Sequence, residues 1–176
     1  MGRILLATAL VAFGLTSGVA SAGPAQRDVS IEQTIVQQVN EIRAEKGLRP
    51  LALSPALTAA AVAHTRNMAQ LGFFSHESYD GTQFWRRIAQ FYGQRGYAGW
   101  SVGENLVFGS EPMSADDLVQ AWLDSPPHRK NLLNPTWHEI GVGVVDASGA
   151  PGVFGGDDVV LATADFGVRS KPAVRR

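Results

Sequence analysis

The sequence predicts an α+β fold with an antiparallel sheet, on three observations. Segments in which apolar residues recur every three or four positions fill the first two thirds of the chain and indicate helices. Segments rich in β-branched residues cluster toward its end and indicate strands. The last two of these flank "ASGAPGVFGGD", whose glycines and proline predict a hairpin connection. A doubly wound parallel sheet would instead need strands that alternate with helices throughout.

The N-terminal segment has the pattern of a secretory signal. Arg3 precedes an apolar run from Ile4 to about Leu15, and small residues follow up to Ala22. The run is shorter than the roughly 20 residues of a membrane span, which favours a cleaved signal over a retained signal anchor. We therefore expect export to the periplasm or the extracellular space after cleavage near Ala22, with no stable membrane span thereafter.

By this interpretation the chain divides into a signal peptide (1–22), a flexible leader (23–30), one domain (31–169) and a basic tail (170–176). The composition is that of one soluble globular domain, 45% hydrophobic and 18% charged over 176 residues. The formal net charge is −1 without a basic stripe, which argues against a nucleic-acid partner. Cysteine is absent, so disulfides and a lipid anchor on cysteine are excluded. A disulfide-free monomer is the default expectation.

Two helices are predicted before residue 72. In the first, Ser30 and Gln33 have the spacing of a capping box, one face is apolar, and Gly47 ends the helix. In the second, Ser54 caps the helix, a proline occupies the first helical position and Gly72 closes the helix. Because this second helix is rich in alanine, we expect it to pack closely against a neighbour.

Shorter helices and three strands follow. "TQFWRRIAQFYG" predicts a third helix, and Ser114 with Asp117 caps a fourth, which Pro126 and Pro127 end. "VGENLVFG", "EIGVGVVD" and "VVLATADFGV" predict strands. His128 comes directly after the two prolines, where a turn residue and a working ligand or base are both open interpretations.

Familiar catalytic signatures are missing from the sequence. Because there is no cysteine, any metal site must draw its ligands from histidine nitrogens and from oxygens. The zinc motif H-E-x-x-H fails at both His-Glu pairs, "HESYD" and "HEIGV". Neither a G-x-S-x-G nucleophile elbow nor a G-x-x-x-x-G-K-[ST] phosphate loop occurs.

The four histidines differ in their predicted surroundings. His64 lies inside the alanine-rich helix, where a structural role is favoured, and His138 precedes a strand, where a surface role is favoured. His76 and His128 both follow helix ends. Together with Glu104 on a short strand, they provide the ingredients of a metal site or an acid-base cluster.

Five segments of the sequence carry a family resemblance by their order and spacing. They are "NEIRAEKGLRPLALSPALTAAAVAH", "FSHESYDG", "GENL", "SPPHRKNLLNP" and "EIGVGVV". Together they closely resemble the CAP superfamily (cysteine-rich secretory proteins, antigen 5 and pathogenesis-related proteins), especially its secreted bacterial branch. The resemblance implies a three-layer α-β-α sandwich, with a small antiparallel sheet between helical layers. It also implies a large central cleft with two histidines and two acidic residues.

Carried onto this chain, the resemblance implies that His76, Glu104 and His128 line the cleft. The family's second acidic position falls on Ser125, and Asp124 is the only carboxylate beside it. Three of the four implied site residues are therefore present, with Asp124 and Ser125 as neighbours of the cleft.

Three functions follow from this set of residues. The first is a secreted binding module whose cleft takes a lipid, peptide or cell-wall fragment. The second is a metal-assisted hydrolase of peptide or envelope material, in which His76 and His128 weakly hold zinc or another divalent cation and activate its water. Glu104 would ligate that metal or orient a histidine. The third is a structural hydrogen-bonded network of the same three side chains, with function on outer surfaces.

Overall fold

The computed structural model describes residues 25–110 and 112–172, which contain five helices and five strands. The helices are α1 (Val29–Glu45), α2 (Pro55–Leu71), α3 (Phe84–Phe91), α4 (Ala115–Asp124) and α5 (Pro126–Leu132). The strands are β1 (Gln26–Arg27), β2 (Ala52–Leu53), β3 (Gly99–Ser110), β4 (Glu139–Ala147) and β5 (Val159–Ser170).

The sheet is built around β4 and β5, in the order β1-β4-β5-β3. The three long strands, β3, β4 and β5, pair antiparallel with one another. Along the outer edge of β4, β1 pairs antiparallel at one end and β2 pairs parallel at the other. The connection between β4 and β5 is the predicted hairpin, and it contains one 3₁₀ turn at Gly152–Phe154. Separate helices and an antiparallel core of strands confirm the α+β class.

Each face of the sheet carries a layer of helices, because alternate residues of a strand point to opposite faces. On one face, Ile140, Val142 and Val144 join a buried core that Ile35 of α1 and Trp122 of α4 complete. On the other face, α2 lies across β4 and β5. The molecule is thus the three-layer α-β-α sandwich that the resemblance implies.

Helix α2 touches β4 main chain to main chain. A Cβ at Gly143 would lie 2.5 Å from the Val62 nitrogen, and one at Gly141 would overlap the main chain of the helix. Ala60 and Ala61 are fully buried in this contact region. This confirms the close packing expected from the alanine-rich sequence, since small side chains let a helix approach a sheet.

Two glycines join the end of α2 to the β4–β5 hairpin. Gly72 ends the helix in the left-handed conformation, at φ 69°, as the sequence predicts. Its carbonyl accepts the Val153 N–H at 3.0 Å. A Cβ at Gly72 would lie 2.6 Å from the Pro151 carbonyl oxygen, and a Cβ at Gly152 would overlap the main chain of Gly72. The loop that follows α2 therefore starts from a point held by the hairpin.

Helix α1 starts before the predicted capping box. The Asp28 carboxylate accepts the Ile31 N–H at 2.9 Å, so the expected box of Ser30 and Gln33 is wrong. The Asp28 N–H donates to the Val144 carbonyl at 3.1 Å, which fixes the entry to the helix ahead of Ser30. Residues of the predicted leader from 25 onward thus supply β1 and the first turn of α1.

Of the two other predicted caps, one makes its side-chain bonds and one does not. Ser114 and Asp117 form the capping box of α4, whereas Ser54 precedes α2 without a side-chain cap bond. Pro126 and Pro127 end α4 and also begin α5, since a first helical turn needs no N–H donors from its residues. His128 therefore lies in the first turn of a short helix and not in an open turn.

The predicted signal peptide (1–22) and residues 173–176 of the predicted tail lie outside the described residues. Within the described ranges, no helix is long and apolar enough to cross a lipid bilayer.

Candidate functional site

A polar cavity of about 380 Å³ lies at the free edge of β3. Glu104 and Asn105 are consecutive on this strand, so their side chains point to opposite faces of the sheet. The cavity at this edge can therefore draw residues from both helical layers. Its lining consists of His76, Glu104, Asn105, Pro127, His128, Lys130, Asn131 and Asn134. The structure thus brings together the three predicted site residues His76, Glu104 and His128.

The pair of His76 and Glu104 forms one wall of the cavity. The His76 Nδ1 and the Glu104 Oε1 are 2.8 Å apart. The Glu104 side chain is 1% exposed, and that of His76 is 51% exposed. With Nδ1 donating to the carboxylate, the other ring nitrogen of His76 is left for a ligand or a proton.

Arg87 on α3 is a site residue that the sequence did not predict. Its guanidinium donates to the Glu104 Oε2 and, at 3.4 Å, to the His76 carbonyl oxygen. The residue is only 6% exposed. A signal for it existed, because Phe84 lies three residues before it on the same side of the helix and packs against a buried cluster.

The environment of Glu104 keeps it ionised. Burial alone would raise its pKa, but the hydrogen bond from His76 and the charge of Arg87 outweigh that effect and lower the pKa below its ordinary value. Glu104 is thus a carboxylate whose charge is already balanced by Arg87.

Asp165 on β5 is the second residue that the sequence did not reveal. It is directly opposite Glu104 in the strand register and is fully buried. The two carboxyls interact, but neither oxygen of Asp165 has a hydrogen-bond partner of normal geometry among the described residues. Burial, together with the charge of Glu104, raises the pKa of Asp165 well above its ordinary value, and Arg87 opposes this only in part. Asp165 is therefore a buried carboxyl that holds its proton to higher pH than an exposed aspartate does.

His128 reaches the cavity from the other helical layer. Its carbonyl oxygen accepts the Asn105 Nδ2 at 3.0 Å, which ties α5 to β3. Asn131 donates to the Glu104 carbonyl at 3.2 Å and to the Asn105 Oδ1 at 3.0 Å. Burial, and the nearby His76, lower the pKa of His128. These asparagines were not predicted, although both lie in the quoted "GENL" and "SPPHRKNLLNP" segments.

The remaining predicted residues lie elsewhere. Asp124 is exposed and accepts the Gln120 Nε2 at 2.8 Å, and Ser125 forms the junction between α4 and α5. Neither lines the cavity. His64 is fully buried and lies 2.9 Å from the Ser75 carbonyl oxygen through its Nε2, while His138 is exposed, as expected for a structural and a surface histidine.

The residues present do not fit the zinc site that the resemblance implies. Zinc in proteins takes at least three nitrogen, oxygen or sulfur ligands at about 2.0 to 2.3 Å. In the part of the chain that the structure describes, no three His, Asp or Glu side chains are grouped to hold a metal. Both oxygens of Glu104 are occupied, one by His76 and one by the guanidinium of Arg87.

Comparison with known proteins identifies the family of the chain. The model of the cysteine-rich secretory protein family, CAP, matches residues 36–157. The chain is 32% identical over 116 residues to the uncharacterised protein YkwD of Bacillus subtilis (strain 168), covering 66% of this chain and 43% of that protein. It is 31% identical over 113 residues to the uncharacterised membrane protein YlbC of the same organism, covering 64% and 31%. The chain thus spans less than half the length of these two relatives.

Solved structures of bacterial proteins are also similar to this chain. An extracellular SCP-domain protein of Bacillus anthracis str. Ames is 28% identical with a TM-score of 0.58, over 77% of this chain and 39% of that one. An outer surface protein of Borrelia burgdorferi, 21% identical, has a TM-score of 0.65 over 83% of this chain and 99% of that one. A cysteine-rich secretory protein of Staphylococcus aureus, 22% identical, has a TM-score of 0.53 over 83% and 42%. The last two likenesses show a shared fold.

Proposed function

This chain belongs to the cysteine-rich secretory protein family, and its domain is of the type found in bacterial proteins. We therefore propose that it is an extracytoplasmic binding module. Its ligand, by this proposal, is a polar fragment of peptide or cell-wall material that carries a carboxylate. Secretion through the predicted signal at 1–22 is part of the proposal. The extracellular and outer-surface descriptions of the bacterial proteins with similar structures support it.

The observation that carries the proposal is the chemistry of the cavity wall. Its side chains are amides, imidazoles, an ammonium group and the Glu104 carboxylate, whose charge Arg87 balances, and Pro127 is the one apolar residue among them. Ligand pockets for lipid chains are instead lined mainly by apolar side chains. The cavity therefore favours the peptide and cell-wall ligands over the lipid among the three expected classes.

Lys130 gives the cavity its preference for an anion. Arg87 already balances the charge of Glu104, and Lys130 takes part in no ion pair within residues 25–110 and 112–172. A ligand carboxylate can therefore pair with Lys130 while the asparagine amides bond to its neutral groups. Such charge-assisted hydrogen bonds are stronger than neutral ones.

The structure supports the two other expected functions to different degrees. A metal-assisted hydrolase would need the zinc site that these side chains do not fit, so no observation favours it. The structural network is supported by the bonds of Glu104 to His76 and Arg87, but it leaves the open, donor-lined side of the cavity without a role.

Calorimetric titration tests the proposal with three probes: a soluble disaccharide-peptide from peptidoglycan, an acidic pentapeptide, and anionic lipid vesicles. We expect the first or the second to bind, and Lys130→Ala to weaken that binding at least about tenfold, since a charge-assisted hydrogen bond contributes about 1.5–3 kcal/mol. Lys46→Ala, an exposed lysine at the end of α1, is the matched control and should bind as the unchanged protein does. Binding of vesicles alone, or equal affinity in both variants, would overturn the proposal.

A further inference from the structure

A second cavity, of about 400 Å³, lies between α2 and α3, apart from the first cavity at the edge of β3. On α2, Ala63, Asn67 and Leu71 recur every four residues, so they form one stripe along the helix. On α3, Gln90 and Phe91 line the same space. Eight residues of α-helix rise about 12 Å, so the stripe can contact several groups of one ligand. The volume is within the range of roughly 300–1,000 Å³ that is usual for small-molecule sites.

The turn at residues 78–82 supplies more of the lining, and its shape is fixed by its own bonds. The Ser78 N–H donates to the Thr82 carbonyl at 2.9 Å, and the Gly81 N–H donates to the Ser78 carbonyl at 2.8 Å. The Thr82 N–H donates to the Asp80 carboxylate at 2.9 Å. Gly81 has φ 80°, a conformation that glycine adopts without strain. This part of the second cavity is therefore built before a ligand arrives.

An aromatic ring of this turn is both anchored and open to solvent. Tyr79 is 68% exposed, yet its ring contacts that of Phe73 at 5.6 Å between centroids. Phe73 in turn contacts the buried His64 ring at 5.9 Å. From α3, Phe91 adds a second ring, which is 42% exposed. The second cavity thus offers flat apolar surfaces that are held in place.

Two amide side chains of the second cavity have no partner of their own. Asn67 and Gln90 are exposed, and neither side chain makes a hydrogen bond within residues 25–110 and 112–172. Each amide carries two N–H donors and a carbonyl acceptor. Hydroxyl and acetamido groups likewise both donate and accept, so one ligand group of either kind can use both ends of such an amide.

The charges of the second cavity disfavour an anion. Hydrogen bonds from Thr82 hold the pKa of Asp80 below its ordinary value, so this group is a carboxylate at neutral pH. Among the described residues of the lining, Arg87 is the one cation, and its guanidinium is paired with Glu104 of the first cavity. The first cavity has the unpaired ammonium of Lys130, whereas the second has the carboxylate of Asp80. The two cavities therefore call for different ligands.

We propose that the second cavity binds a neutral saccharide, whose sugar ring stacks on Tyr79 and whose hydroxyl and acetamido groups bond to Asn67 and Gln90. A sugar ring has an apolar face of C–H groups and a rim of hydroxyls, so it matches the rings and the amides at once. A lipid chain would leave both amides without partners, and an acidic peptide would be repelled by Asp80. Cleavage is not part of the proposal, since glycoside hydrolysis ordinarily uses two carboxylates and the described lining has one. The site goes beyond the function proposed above and does not depend on it.

NMR titration of the isotope-labelled protein with the neutral trisaccharide of N-acetylglucosamine tests the proposal. The side-chain amide signals of Asn67 and Gln90 should shift along one saturating curve. Those of Asn131 and Asn134 lie in the first cavity and should not move. Lys130→Ala, which removes the ammonium of the first cavity, should leave the affinity for the trisaccharide unchanged.

Variants of the second cavity separate ring stacking from hydrogen bonding. Tyr79→Ala should weaken binding at least about fivefold and Tyr79→Phe less than about twofold, because the ring and not its hydroxyl makes the contact. Asn67→Ala, which leaves the turn intact, should weaken binding about threefold or more. Gln70→Ala changes an exposed residue of α2 outside the lining and is the matched control.

Three results would overturn the saccharide site. The first is the absence of shifts at Asn67 and Gln90 at millimolar trisaccharide. The second is an affinity that Tyr79→Ala and Asn67→Ala leave equal to that of the control. The third is a set of shifts at Asn67 and Gln90 caused by the acidic pentapeptide and not by the trisaccharide, which would make the second cavity a peptide site. If the trisaccharide instead shifts only Asn131 and Asn134, this proposal fails and the binding module at the first cavity is retained.

Discussion

Asp165 lies directly opposite Glu104 in the register of β5 and β3, yet the pKa values of the two buried carboxyls are shifted in opposite directions. The pKa of Glu104 is lowered, because His76 and Arg87 bond to it and outweigh its burial. The pKa of Asp165 is raised well above its ordinary value, because burial and the charge of Glu104 dominate there. The pair thus favours one charge, on Glu104, which Arg87 balances.

The raised pKa of Asp165 predicts a stabilising substitution. As pH rises above about 4, the unfolded chain loses the Asp165 proton while the folded chain retains it, so this residue lowers the free energy of unfolding with rising pH. Asp165→Asn, which is neutral at every pH, should remove that slope and be at least as stable as the unchanged protein at pH 7. Urea denaturation at several pH values measures this, with the exposed Asp157→Asn as control. A loss of stability at pH 7 larger than that of the control would contradict the prediction.

Removing the charge of Glu104 should be costly. Glu104→Gln leaves the buried Arg87 guanidinium without its counter-charge, and breaking such a pair costs about 3 kcal/mol or more. The exposed Glu45→Gln should change the free energy of unfolding by less than about 0.5 kcal/mol. In the double variant with Arg87→Met, part of the loss should be recovered, since no buried charge is then unpaired. An unchanged melting curve for Glu104→Gln would count against the network.

His64 should make the fold sensitive to acid. Burial, assisted by the charge of Arg87, lowers its pKa from 6.5 to about 4. Between these values the unfolded chain takes up a proton that the folded chain does not, so stability is lost as pH falls from 6.5 to about 4. His64→Gln, which keeps a donor for the Ser75 carbonyl, should flatten this part of the curve of unfolding free energy against pH. The exposed His138→Gln should leave the curve as it is, and a parallel shift in both variants would refute the assignment to His64.

The main-chain contact between α2 and β4 should not tolerate a side chain. A Cβ at Gly143 would lie 2.5 Å from the Val62 nitrogen, and this nitrogen is a main-chain atom, which cannot rotate aside as the end of a side chain can. Gly143→Ala should therefore lower the free energy of unfolding by about 2 kcal/mol or more, as overpacking of a core does. At Gly93 the nearest atom to an added Cβ is 3.8 Å away, so Gly93→Ala is the matched control. Similar thermal midpoints for the two variants would show that α2 can move away from the sheet.

Zinc titration addresses the metal site expected from the resemblance. Because Glu104 is occupied and no group of three ligands forms among the described residues, we expect a dissociation constant no tighter than about 1 μM. Calorimetry with His76→Ala, His128→Ala and the control His138→Ala measures it. Nanomolar binding that both cavity variants abolish, and the control retains, would mean that the side chains rearrange around a metal.

The sequence predicted the helices and strands better than it predicted which buried side chains contact each other. Periodicity and turn residues located the main helices and the three long strands, since these signals are local. Their positions at element ends marked His76, Glu104 and His128 as candidate site residues, and the family resemblance implied that they line one cleft, because no local signal joins three segments so far apart. Arg87 and Asp165 were missed for a physical reason: charged residues are normally solvated, and only the packed fold shows that these two are buried together.

The contact between Gly72 and Gly152 has a consequence for how the cavity is assembled. The loop that carries His76 leaves α2 at Gly72, whose carbonyl is held by Val153 from the hairpin near the end of the chain. During synthesis, His76 and Glu104 emerge before that hairpin exists. The cavity therefore acquires its final shape only when nearly the whole domain has left the ribosome. Since neither glycine leaves room for a Cβ on the other, a side chain at either position would push the hairpin away from the start of the His76 loop.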